Sequence, residues 1–180
     1  MKRILLTFLF LVPLLALAQE KIDKTNGIFY KISLSTTLGI NEDYTIADDD
    51  SGTLIEPSAY FINNTLGFKF DERSSIGLNF EYNWHSESGL HFFPAYLNFK
   101  YNLIDDDDSL FIRAGYGRFL NLGKTFEKGT FYKIGSGVEI FDGDSDNSIL
   151  LGLDFTRKRF GFRQQDKLSS VSIFLEFCVF

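Results

Sequence analysis

One stretch of the chain places a nucleophile and a base close together: His85-Ser86-Glu87-Ser88, with His91 just behind. A serine hydroxyl attacks only when a base such as imidazole takes its proton. In an extended strand, residues one or three apart point to opposite faces. Neither Ser86 nor Ser88 therefore shares a face with His85 in a regular strand. A second candidate is Asp142-Gly143-Asp144-Ser145-Asp146-Asn147, which is spaced like the start of a calcium loop. Such a loop needs glycine at its sixth position and an acid at its twelfth. Here those positions hold Asn147 and Leu153, so the motif fails and the run reads as an acidic hairpin turn. The aspartates at 105–108 and 48–50 read the same way, as solvated acidic segments with at most weak attraction for divalent ions. Cys178 is the single cysteine. It forms no intrachain disulfide and reads as a small inward side chain. The expectation is a protein with no catalytic, metal-binding or cofactor-binding residue, and not an enzyme.

The remaining chemistry-bearing residues are isolated charges set in apolar surroundings: Lys31, Lys69, Lys100, Arg113 and Lys133 against Glu81, Glu139, Asp154 and Glu176. What positions them is a period of two that recurs along the chain. Val171, Ile173, Leu175, Phe177 and Val179 alternate with Ser170, Ser172, Glu176 and Cys178. Ile149 to Phe155 alternate with Gly152, Asp154 and Thr156. Tyr132, Ile134, Val138 and Ile140 oppose Lys133, Gly135, Gly137 and Glu139. Leu110 to Tyr116 oppose Arg113, Gly115 and Gly117. Phe93 to Tyr101 face away from Tyr96, Asn98, Lys100 and Asn102. Ile76 to Trp84 oppose Gly77, Asn79, Glu81, Asn83 and His85. Tyr60, Ile62, Leu66 and Phe68 oppose Asn63, Thr65, Gly67 and Lys69, with Asn64 an irregular polar residue on the apolar face. Ile28, Tyr30, Ile32, Leu34 and Leu38 oppose Phe29, Lys31, Ser33 and Ser35. This pattern predicts eight strands and no helix. The connections alternate between short and acidic (71–74, 105–108, 142–147) and mostly longer (41–57, 86–91, 121–128, 160–167).

The N-terminus reads as a leader. Lys2 and Arg3 precede an apolar stretch from Ile4 to Leu17, and Ala16-Leu17-Ala18 supplies small residues before Gln19. The expected division is a signal peptide at 1–18 and one barrel domain at 19–180. Without the leader, 16 basic side chains face 24 acidic ones, a formal charge of −8. An acidic chain with no basic stripe is no nucleic-acid binder. With 21 Phe and 8 Tyr the chain is rich in aromatics, yet its mean hydropathy is only −0.03. Alternation, rather than long apolar runs, reconciles the two.

Eight alternating strands suit either a soluble carrier or a membrane barrel, which differ in which face points inward. Aromatics on the apolar face are sorted by height. Tyr60, Tyr82, Trp84, Phe93, Tyr116, Tyr132 and Phe155 fall at the upper end, and Tyr30, Phe68, Phe70, Phe99, Tyr101 and Phe177 at the lower, around an aliphatic band. Two aromatic girdles flanking such a band match the two interfaces of a membrane. Of these, Tyr30, Tyr60, Tyr82, Trp84, Tyr101, Tyr116, Tyr132 and Phe177 are the expected girdle residues. The charged polar face would then line a narrow lumen, as an ion-pair network with glycines making room. The fold class expected is all-β: an eight-stranded antiparallel up-and-down transmembrane β-barrel.

With its eight alternating strands after a leader, and Phe180 at the end, the chain resembles the small outer-membrane β-barrel family. That family includes OmpA/OmpX-type barrels and porin-like proteins of Bacteroidetes-type bacteria. The resemblance spans Gly27 to Phe180 and rests on pattern. It implies a place in the bacterial outer membrane, contact with outer-membrane lipid and lipopolysaccharide, and recognition of the final strand by the barrel-assembly machinery. It also implies a monomer whose role is structural or adhesive through outer loops whose partner is unknown. The family's assembly signal puts the terminal aromatic on the lipid face, whereas Phe180 lies one step off the Val171–Val179 face. Two alternatives stay open: a lipid-modifying enzyme similar to lipid A deacylases, whose His and Ser lie two apart, and a soluble exported ligand carrier.

Overall fold

The computed structural model describes residues 26–40, 55–86, 89–104, 108–123, 125–141, 147–161 and 166–180. The expected leader, the acidic segments at 48–50, 105–107 and 142–146, and Glu87 and Ser88 lie outside them. The described residues form nine β-strands: β1 Gly27–Ile40, β2 Ile55–Lys69, β3 Ser74–His85, β4 Leu90–Phe92, β5 Pro94–Ile104, β6 Asp108–Phe119, β7 Gly129–Phe141, β8 Ser148–Phe160 and β9 Asp166–Val179. No helix is present among them.

β4 and β5 are one stave of the barrel. Both pair with β3 in a single register, Asn83 opposite Phe92 and Phe80 opposite Ala95. The ladder breaks at Phe93 because Pro94 carries no N–H to donate. Each stave pairs antiparallel with its chain neighbours, and β1 pairs with β9 to close the ring. The result is a closed eight-stranded barrel without free edges. His91, expected in a loop, therefore sits in a strand opposite Trp84. Arg157 stands inside β8 opposite Tyr132 and Ser169.

The stagger of the barrel follows from register. Gly27 opposes Lys69, and the row continues through Ser75, Lys100, Arg113, Gly135, Asp154 and Ser172. It returns to β1 at Thr37, ten residues above its start. At a rise of ~3.3 Å per residue and a strand spacing of ~4.8 Å, that stagger tilts the strands by roughly 40°.

Alternation decides burial. In β6, Ser109, Phe111 and Arg113 are buried while Leu110, Ile112 and Tyr116 are exposed; β8 and β9 repeat the pattern. Inside, Phe29, Phe111, Leu150, Phe174 and Cys178 cluster toward the short-turn end, with Phe180 packed against them. Phe92, Tyr96, Phe119 and Phe131 cluster toward the long-loop end. Among the short turns, Asp71 Oδ1 accepts from the backbone N–H of Arg73 (2.9 Å) and of Ser74 (2.6 Å), fixing the β2–β3 reversal. These donors hold the Asp71 carboxyl below its ordinary range.

Candidate functional site

The chemistry of this chain lies in the barrel interior. Arg113, pointing inward from β6, places Nε 2.8 Å from Asp154 Oδ1 and Nη2 2.7 Å from Oδ2, a two-pronged grip. Its remaining nitrogen donates to Glu176. Its guanidinium carbon also lies 3.7 Å from the centre of the Phe174 ring. Lys31 reaches Glu176 at 3.2 Å. Lys133 donates to Glu81 at 2.6 Å and lies 3.4 Å from Asp154. Tyr96 donates its hydroxyl to the same Glu81 at 2.8 Å. Lower down, Lys100 pairs with Glu139, which also accepts from Ser148 at 2.7 Å.

Eight of the nine charged residues picked out from the sequence thus join ion pairs: Lys31, Glu81, Lys100, Arg113, Lys133, Glu139, Asp154 and Glu176. The ninth, Lys69, is half-buried and stands over the rings of Phe141 (5.9 Å) and Phe180 (5.4 Å). Glycines make the space. Arg113, Gly135 and Asp154 share one register row. A Cβ on Gly135 would strike Asp154 Oδ1 and stand 2.8 Å from the Leu153 carbonyl oxygen. The bridge passes over β7 only because β7 offers no side chain there.

The sequence pattern did not reveal Lys158. The apolar alternation of β8 runs from Ile149 to Phe155, and Arg157 breaks it. The strand continues, so Lys158 keeps the inward parity of Asp154 and Thr156 and is fully buried. It has no carboxylate partner among the described residues. Instead its Nζ lies 2.7 Å from His85 Nε2 and over the rings of Phe61 (4.4 Å) and Phe92 (5.1 Å).

This arrangement separates the two histidines. His85 points into the barrel, packed between Phe61 and Phe92. His91 lies on the outside, its Nδ1 2.9 Å from the Tyr82 hydroxyl. Ser86 donates its hydroxyl to the Ser58 carbonyl oxygen at 3.0 Å. The one hydroxyl shown beside an imidazole is the Tyr82 phenol on His91; the Ser86 hydroxyl is engaged elsewhere, and among the described residues no three His, Cys, Asp or Glu side chains group to hold a metal ion.

Of the expected girdle residues, Tyr60, Trp84, Tyr116 and Phe177 are exposed on the outer surface, and Tyr82, Tyr101 and Tyr132 are partly so. Tyr60 stacks on Trp84 at 5.9 Å. Tyr30 differs, being only 9% exposed, and its hydroxyl donates to Asn64. That bond satisfies the one polar side chain which interrupts the apolar face of β2. Phe180 turns inward, its ring 5.9 Å from Phe29.

No family model matches the chain, and no curated protein does. Solved structures do. The chain is similar to the N-terminal β-barrel domain of Pseudomonas aeruginosa OprF, with a TM-score of 0.53 and 10% identity, over 86% of this chain and 98% of that one. It is also similar to Neisserial surface protein A, with a TM-score of 0.59 and 8% identity, over 87% of this chain and 99% of the other. At such identity the likeness is one of fold, and that fold is the closed eight-stranded antiparallel β-barrel.

Proposed function

We propose that this chain is an integral outer-membrane β-barrel with a filled lumen, acting as a monomer through its shape and outer loops rather than through catalysis. The observation that carries this reading is the inversion of its two faces. Inside are five buried cations and four buried carboxylates; outside, Leu34, Ile62, Leu97, Ile134, Leu153 and Leu175 are all about half exposed. Apolar patches on water-soluble monomers rarely exceed a few hundred Å². Here the apolar surface circles the molecule, and only a lipid surround removes that penalty. A soluble carrier would have the opposite arrangement, with an apolar cavity for its ligand. The likeness in fold to the OprF barrel domain and to a Neisserial surface protein supports the same reading.

In such a membrane the short turns face the periplasm and the longer connections face outward. The aromatic girdle of Tyr60, Tyr82, Trp84, Tyr116 and Tyr132 marks the outer interface. A lipid A deacylase is the weaker reading, because His85 and His91 lie on opposite sides of the barrel wall, His91 meets the phenol of Tyr82, and Ser86 donates to the Ser58 carbonyl oxygen rather than to an imidazole. Cell fractionation with unboiled and boiled gel samples tests the proposal. The protein is expected to sediment with outer membranes and to migrate differently after boiling. Recovery as a soluble protein without detergent would overturn the reading.

A further inference from the structure

The outward faces of the strands carry almost no charge. Among the described residues the exceptions are Asp108 at the lower end of β6 and four cations at the upper end: Arg118, Arg157, Arg159 and Lys167. Register gathers these four on one side of the barrel. Arg118 opposes Thr130, Thr130 opposes Arg159, and Arg159 opposes Lys167. Arg157 lies two residues below Arg159 on the same face of β8. At a strand spacing of ~4.8 Å the row from Arg118 to Lys167 spans only about 15 Å.

Isolated, this arrangement is unfavourable. Like charges directly opposite each other on neighbouring strands repel, and Arg159 and Lys167 are such a pair. Among the described strand residues no carboxylate shares this upper outward face, Asp166 having the parity opposite to Lys167, and none of the four cations is ion-paired with a described residue. Arg157 Nε is enclosed without an acceptor. An anion with several oxygens would resolve all three features at once. The guanidinium fork suits phosphate in particular, since it binds two oxygens side by side.

Height identifies the source of that phosphate. The row lies one step above Tyr116 and Tyr132, which oppose each other on the same face, and above the apolar surface of Ile134, Leu153 and Val171. We propose that Arg118, Arg157, Arg159 and Lys167 dock the phosphorylated headgroup of an outer-leaflet lipid, whose acyl chains lie along the apolar surface below. This rests on the membrane-barrel reading.

The test uses the full chain refolded in zwitterionic detergent micelles and native mass spectrometry. The probes are lipid A carrying two phosphates and the same lipid with its phosphates removed. Preferential retention of the phosphorylated form is expected. Arg157→Gln combined with Arg159→Gln should weaken it by at least about tenfold, since two charge-assisted contacts are lost. Arg73→Gln, a cation in the turn at the opposite end, should leave it unchanged. Each variant is first shown to be folded by its gel shift on boiling. Equal retention of the two lipids, undiminished binding by the folded double variant, or full displacement by millimolar inorganic phosphate would each overturn the proposal. A folded, detergent-bound barrel without phosphate preference defeats this inference alone. A chain that stays folded and soluble without detergent defeats the membrane reading and the inference with it.

Discussion

Arg113 and Asp154 meet across the full width of β7, over a glycine that lies in register with both. Arginine on one stave, glycine on the next and aspartate on the third form a single rung of the barrel. That rung joins strands which share no backbone hydrogen bond.

Removing one partner should therefore be severe. Arg113→Met leaves Asp154 and Glu176 buried with only lysine neighbours, and a loss of about 3–5 kcal/mol is expected for an uncompensated buried charge. Arg113→Met with Asp154→Leu should lose less than the two single changes combined. Urea unfolding in micelles, followed by the fluorescence of the single tryptophan, Trp84, measures both.

The glycine in the rung should be nearly as sensitive. In Gly135→Ala the new methyl group meets Asp154 Oδ1, with the Leu153 carbonyl oxygen at 2.8 Å and Arg113 Nε at 3.2 Å. Overpacking of this kind costs about 1–3 kcal/mol. Ser136→Ala, one residue on and facing outward, should shift the unfolding midpoint hardly at all.

Orientation can be read residue by residue. Single cysteines at Ile134, Leu151 and Leu153 should react with a lipid-soluble probe in native membranes. Cysteines at Glu139 and Asp154 should not. The opposite labelling pattern would mean that the barrel is not inverted.

The turn at Asp71 predicts an acid effect of known sign. Its carboxyl is held below the ordinary range by the N–H groups of Arg73 and Ser74, so its stabilisation is complete at neutral pH. It is lost as the pH falls through about 4 and below. Asp71→Asn keeps an acceptor in the turn but does not titrate. Over that acid range the variant's unfolding midpoint should fall less steeply than the wild type's.

The barrel should not conduct. Tyr96, Phe131, Arg113, Lys133 and Phe174 crowd its middle, and the space at the lower end lined by Lys31, Lys69, Lys100 and Phe180 is only about 20 Å³, room for one water. Planar-bilayer recordings from purified protein are expected to stay silent. Large, stable unitary currents would contradict a filled lumen.

The strands and their inward charges were legible because alternation is a local property: each residue declares its face by parity. What escaped depends on more than parity. Lys158 was hidden because Arg157 interrupts the apolar face, although the row from Leu150 through Asp154 and Thr156 leads straight to it. The break at Phe93 follows from the missing N–H of Pro94, a local signal that alternation does not register. Phe180 turns inward to reach Phe29 on β1, and no spacing in the sequence forecasts a contact between the two ends of the barrel. The docking row likewise needs register, since Arg118 and Lys167 become neighbours only once β6 to β9 are aligned.

The seam between β1 and β9 imposes an order of events. It is a short ladder, running from Tyr30 opposite Val179 to Thr37 opposite Ser172, and it joins segments at opposite ends of the barrel sequence. Every other seam links staves adjacent in the chain, so its loop-closure entropy is small. Loop closure thus favours forming the β1–β9 seam last, and while it is open both strands present rows of unpaired N–H and C=O groups that invite pairing with another chain. The Lys31–Glu176 bridge crosses this seam. It acts as a clasp, and the time spent unclasped is the interval in which a maturing barrel is open to aggregation.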